Sequence, residues 1–164
     1  MRVLGIDPGT ATTGYGLVIE SESGDLHAEA YGVINTTSDL EMPARLKDLY
    51  QKIEQLMLLF RPEQGAVEKL FFQRNVTTAL SVGQARGVIL LAFANHDIPV
   101  AEYTPLEIKQ ATTGYGAADK RQVQNMVKSL LQLEALPRPD DAADALAVAI
   151  CHLNSRRLKD LGAA

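Results

Sequence analysis

Apolar positions recur along the chain in two different periods, and the change from one to the other divides it. Val3, Leu4 and Ile6 surround Gly5 in a short run that ends on Asp7 and is broken by Pro8-Gly9, predicting a buried strand closed by a turn. Gly14 to Glu20 predicts a second strand, Ser21-Glu22-Ser23-Gly24-Asp25 a turn, and Leu26 to Ile34 a third strand with partial alternation. Connections this short leave no room for a helical crossover, so the three strands pair as an antiparallel meander. A helical stripe follows at Leu46, Leu49, Ile53, Leu56 and Phe60, predicting a helix over Pro43 to Phe60 that Arg61-Pro62 ends. Gly65 to Leu70 is a fourth strand, with Glu68 in its middle, and Phe71-Phe72-Gln73-Arg74-Asn75 is a loop before a long helix from Val76 to Asn95. Ile98 to Tyr103 is a short fifth strand, and Thr104 caps a brief helix that Pro105 opens and that runs to about Ala111. Thr113-Gly114-Tyr115-Gly116 is a loop, Ala118 to Leu133 a helix, Pro137-Arg138-Pro139 a linker, and Asp140 to Arg157 the last helix. This order predicts the α/β class, a mixed sheet flanked by helices.

Size and composition narrow the field modestly. A chain of 164 residues, 46% hydrophobic and 22% charged, suits one domain over 1–157 with a short tail at 158–164. The single cysteine, Cys151, excludes an internal disulfide framework and a cysteine-rich zinc site, which fits a reducing cytoplasm. No basic and apolar leader precedes the first strand, and apolar stretches are interrupted well short of about 18 residues, so neither a signal peptide nor a membrane span is expected. The net charge of −4 counts against a broadly basic nucleic-acid-binding surface, although clustered carboxylates that hold cations would offset part of it.

The candidate chemistry lies in acids at element ends. Asp7 either caps its own turn or, at the end of a rigid buried strand, pairs with a cation. Glu68 either points to a wet sheet face or is held by a partner. In the first turns of the last helix, Asp140 and Asp141 are what the helix dipole favours, whereas Asp144 lies a turn further in and shares a side with Asp141. Ala142, Ala143 and Ala145 would let that helix approach a sheet closely. Convergence of Asp7, Glu68, Asp141 and Asp144 would give hard oxygen ligands suited to Mg²⁺ or Mn²⁺, and two such ions roughly 4 Å apart support phosphodiester hydrolysis. Lys109, Lys120 and Arg121 flank the 113–116 loop as a phosphate-positioning patch or a solvated face. Gly9, Gly14 and Gly16 either cradle phosphate or serve a crowded hairpin. His27, His96 and His152 have no ligand spacing and read as structural.

The motifs Gly5-Ile6-Asp7-Pro8-Gly9, Glu68-x-x-Phe71, Gly83-Gln84-Ala85-Arg86-Gly87 and Asp141-Ala142-Ala143-Asp144-Ala145-Leu146 occur in order over almost the whole chain. Together they resemble the RuvC family of bacterial Holliday-junction resolvases. The resemblance implies an RNase H-like fold with a five-stranded mixed sheet, a homodimer, and two Mg²⁺ ions (Mn²⁺ as substitute) on Asp7, Glu68, Asp141 and Asp144. It further implies basic residues at Lys109 and Lys120, with Lys120 in catalysis, and Phe71 stacking on bases at the junction centre. Arg74, in the same loop, is assigned to DNA contact. The implied partners are four-way junction DNA and the RuvA and RuvB branch-migration proteins. Lys69 departs from the Gln or Glu usual in the family after the catalytic glutamate, and Asp140 adds an acid beside Asp141 as a competing ligand.

The implied activity is symmetric cleavage of two opposite strands, with inversion at phosphorus, in recombination and repair. Two such cuts require two acid sets, which a twofold dimer supplies; the small-residue face carrying Gly83 and Gly87 suits close helix approach within the fold or across that axis. Rival readings are an ATP-binding protein of the actin or sugar-kinase type, a non-catalytic DNA-structure binder on the same fold, and a related nuclease with another substrate. The first lacks a second phosphate hairpin. The second gains nothing from aiming four acids at phosphate.

Overall fold

A computed structural model describes residues 1–69 and 76–162. Its strands are β1 (Arg2–Asp7), β2 (Thr12–Glu20), β3 (Leu26–Asn35), β4 (Gln64–Glu68) and β5 (Val100–Tyr103). Its helices are α1 (Met42–Phe60), α2 (Val76–Asn95), α3 (Pro105–Thr113), α4 (Lys120–Leu130) and α5 (Asp140–Gly162). The strands form one sheet in the order β3-β2-β1-β4-β5. The meander β1-β2-β3 is antiparallel, as its short turns require, while β4 and β5 add parallel to β1 after the helical crossovers. This is the five-stranded mixed sheet expected. Its topology puts the C-terminal ends of β1, β4 and β5 on a single edge.

Side chains alternate across the sheet, and the two faces carry separate cores. Leu4, Ile6, Leu17 and Val67 face α1 and α2, where Leu49, Ile53, Met57, Ile89 and Phe93 complete a core of large side chains. Val3, Val18 and Ala66 face α3, α4 and α5, which contribute Ile108, Val123, Val127, Leu146, Ile150 and Leu153. On this second face the sheet is bare at Gly5, Gly14 and Gly16, and α5 lies in the resulting trench. A β-carbon on Gly5 would collide with the Ala145 carbonyl, one on Gly14 with the Asp141 carbonyl, and one on Gly16 with Leu146. Gly14 and Gly16 are therefore glycines because a helix crosses them, and no phosphate cradle is needed to explain them.

Several boundaries differ from the sequence reading, each for a local reason. Glu68 is the last residue of β4 rather than its middle. Asp119 and Gln122 form a reciprocal capping box, so α4 starts at Lys120 instead of Ala118. It stops at Leu130 because Gln132 adopts a left-handed backbone (φ 53°), although the buried Leu131 prolongs the apolar pattern. At the other end of the chain, α5 continues past Arg157 to Gly162, through residues expected to form a tail. Leu158 and Leu161 there are exposed, so no buried stripe marks the extension.

Candidate active site

Four elements bring the acids together. Asp7 ends β1, and its neighbour Gly14 on β2 is the glycine over which the first turn of α5 passes. Glu68 ends the adjacent parallel strand β4 on the same face. Because α5 runs antiparallel to β1, its N-terminal turn, with Asp141 and Asp144, lies above those strand ends. Carboxylate oxygens of Asp7, Asp141 and Asp144 lie within 4.8 Å of one another. Glu68 joins them through a side-chain hydrogen bond with Asp7.

So many acids in so little water cannot all be ionised without a counter-charge. Burial, followed by the charges of Glu68, Asp144 and Asp141 and the bond to Glu68, pushes the Asp7 carboxyl up to about 9 from an ordinary 3.8. Burial also raises Glu68; its contact with Asp7 works the other way, while Asp144 adds to the rise and Lys109 opposes it. Asp144 is raised by burial against the opposing pull of Lys120. A divalent cation bound by this group would relieve the repulsion and take the proton's place. The donor set is all carboxylate oxygen, which fits Mg²⁺ or Mn²⁺ and excludes the nitrogen and sulfur surroundings of zinc or copper.

A cleft of about 210 Å³ opens beside the acids, lined by Glu68, Asp144, Lys109 and Lys120 together with Pro105, Ile108, Val123 and Ala147. Lys120, the first residue of α4, places its Nζ 3.2 Å from Asp144 Oδ2 and 3.5 Å from Asp140 Oδ2. Burial works against its charge, yet the two aspartates hold its ammonium above the ordinary lysine range. Lys109, on α3, is half-buried in the same cleft. A cleft lined by acids and two lysines can hold a cation and the phosphate it activates together.

Other expectations fare differently. Arg121 is exposed and does not line the cleft. Phe71 and Arg74 lie outside the described residues. Asp140, the competing ligand, stands outside the three-acid group and pairs with Lys120 and Arg138. Lys69 is exposed; its amide donates to the Tyr103 carbonyl (2.8 Å), and its charge helps lower Glu107, although Thr104's hydrogen bonds do more. The histidines are structural where they are buried. His152 bonds the Tyr103 hydroxyl at 2.9 Å and Gln64 Oε1 at 2.5 Å, bracing α5 against β4 and β5.

Sequence reasoning missed the braces of the turn behind Asp7. The Thr13 hydroxyl, buried, donates to the Gly9 carbonyl at 2.7 Å. Thr36 and Arg45 both donate to the Thr10 carbonyl, at 2.6 and 3.2 Å. The run of threonines at 10, 12 and 13 was the available signal, since threonine hydroxyls satisfy turn carbonyls.

Known proteins match the chain along its length. A family model described as "Crossover junction endodeoxyribonuclease RuvC" matches residues 3–152. The crossover junction endodeoxyribonuclease RuvC of Syntrophomonas wolfei is 60% identical over 158 residues, covering 96% of this chain and 91% of that protein. The solved structure of Thermus thermophilus RuvC superposes with a TM-score of 0.90 at 36% identity, covering 97% of each chain. The same protein in complex with a Holliday junction substrate gives 0.88 at 34% identity, covering 96% of each.

Proposed function

The chain belongs to the RuvC family of crossover junction endodeoxyribonucleases, and from that footing we propose that it resolves Holliday junctions by metal-dependent hydrolysis. The junction is cut at symmetric positions in two opposite strands, during recombination and DNA repair. The observation that carries this reading is the meeting of Asp7, Glu68, Asp141 and Asp144 at one sheet edge, beside a cleft that two lysines also line. An ATP-binding or purely structural reading explains neither the buried acids nor the full-length match to nucleases.

Asp7, Glu68, Asp141 and Asp144 would hold two Mg²⁺ ions, with Mn²⁺ able to substitute; when bound, these would supply an activated water and a stabilised leaving oxygen. Asp7, with acids on either side, would be the central ligand of that set. Lys120 meets the charge that develops on the phosphate, and Lys109 fixes the DNA backbone beside it. Phe71 and Arg74 follow Glu68 closely in sequence and contact the opened junction, Phe71 by stacking, an interaction worth ~1–3 kcal/mol per base. A twofold homodimer matches two such sites to the symmetry of the substrate. The outward side of α2, where Leu80 and Leu91 are exposed and the space around Gly87 is open, supports that helix as the contact. RuvA and RuvB are the partners that bring it junctions, in the bacterial cytoplasm; among the described residues no helix is long and apolar enough to cross a membrane.

The test is incubation with a synthetic mobile four-way junction and Mg²⁺, alongside linear duplex and single strands. Paired symmetric nicks in the junction alone are expected. Cleavage of every substrate would remove the junction selectivity, and tight binding without cleavage under any divalent metal would overturn the nuclease.

A further inference from the structure

Asp140 stands one helical turn before Asp144 on the same side of α5, yet outside the oxygen cluster formed by Asp7, Asp141 and Asp144. Its Oδ1 accepts from Arg138 Nη1 at 2.6 Å. Its other oxygen faces Lys120 Nζ at 3.5 Å. Asp140 is thus held on one oxygen by Arg138 and presents the other to a single lysine.

That lysine has a divided allegiance. Without a metal, Lys120 neutralises Asp144 at 3.2 Å. A divalent cation held among Asp7, Asp141 and Asp144 would claim the same carboxylate and repel the ammonium. Lysine has a flexible stem and a strongly hydrated head, and Lys120 is half-exposed, so with no second partner the head would return to water. The Asp119–Gln122 capping box meanwhile fixes the backbone from which Lys120 extends.

We infer that Asp140 is a positioning residue, retaining Lys120 at the mouth of the cleft when Asp144 turns to a metal ion. This rests on the proposed role of Lys120 at the phosphate. The plainer alternative is a first-turn carboxylate that serves only the helix dipole and Arg138, and it moves stability alone.

A double-mutant cycle separates them, using Asp140→Asn, Lys120→Met and the pair in the full chain. Single-turnover cleavage of a four-way junction is followed at saturating Mg²⁺, and Mn²⁺ binding is measured without DNA by electron paramagnetic resonance. Asp140→Asn is expected to slow cleavage roughly three- to fivefold, the scale of an exposed ion pair, with junction affinity unchanged and Asp140→Glu restoring the rate. In the Lys120→Met background it should slow cleavage no further. Mn²⁺ binding should weaken by a similar factor in Asp140→Asn, because Lys120 then falls back on Asp144 alone, and should not weaken when Lys120 is methionine. Equal effects of Asp140→Asn in both backgrounds, or none in either, would overturn the inference. Failure of the wild-type protein to cleave the junction would instead overturn the nuclease reading, while the Mn²⁺ cycle would still report on the coupling of Asp140 to Lys120.

Discussion

On one face of the sheet α1 and α2 meet the strands through Phe93, Ile89, Ile53 and Leu49, side chains that interdigitate with Leu4, Ile6 and Leu17. On the other, α5 meets β1 and β2 through Gly5, Gly14 and Gly16, so closely that backbone atoms take the place of side chains. The first arrangement can repack when a side chain changes, because rotamers can shift. The second cannot at Gly5 and Gly14, because what a new methyl would strike there is a carbonyl fixed within a helix. The acids belong to the second face, where a displacement of α5 moves Asp141 and Asp144 relative to Asp7 directly. Positional precision at the site is obtained by removing side chains rather than by adding contacts.

Substitutions that contrast the two faces sharpen this, and the largest effect belongs to the site. Asp7→Asn should abolish junction cleavage, a loss of about 10³-fold or more, while binding persists, as gel shift and a sequencing gel would show together. Undiminished cleavage would remove Asp7 from the reaction. Next comes Gly14→Ala, expected to cost about 3 kcal/mol or more in urea unfolding, above ordinary overpacking because its obstacle is backbone. On the opposite face Phe93→Leu should cost only about 1–2 kcal/mol and leave the cleavage rate unchanged. If the order of these two costs were reversed, the contrast between the faces would fail.

Acidity gives a further contrast, confined to the α5 face. The folded-state pKa of Asp7, about 9, lies above its ordinary 3.8, so proton binding favours the folded protein. Its contribution is complete below about 4 and is lost as pH rises toward about 9, with a slope of at most ~1.4 kcal/mol per pH unit. Thermal melts in EDTA should therefore fall as pH rises through this window, and Mg²⁺ or Asp7→Asn should flatten the trend. The smallest effect is expected on the outer side of α2. Gly87→Ala faces open space within a helix and should stabilise the subunit by up to ~1 kcal/mol in urea, the reverse of the same change at Gly14. Sedimentation of the same variant reads whether a partner lies against that side.

Much of this was legible in the sequence, for reasons that also mark where legibility ended. Strands and helices announce themselves through local period, and Asp7, Asp141 and Asp144 through charges placed at element ends. The roles of Gly14 and Gly16 were not legible, because what excludes a side chain there is a helix from the far end of the chain. Asp140 was ambiguous for the same reason: its partner Lys120 belongs to another element, and adjacent acids look alike until one is seen to face a lysine. The end of α5 was missed because exposed Leu158 and Leu161 leave no buried face to count.

The trench that receives α5 also has a consequence in time. A chain emerging from the ribosome presents β1, with Asp7, before α5, and the meander can assemble around it while α5 is still to be made. Until α5 settles, the glycines face solvent, and Asp7 lacks two of the acids that gather around it in the finished fold. A nascent polypeptide therefore carries only part of the acid group, which is completed by the same element that closes the fold.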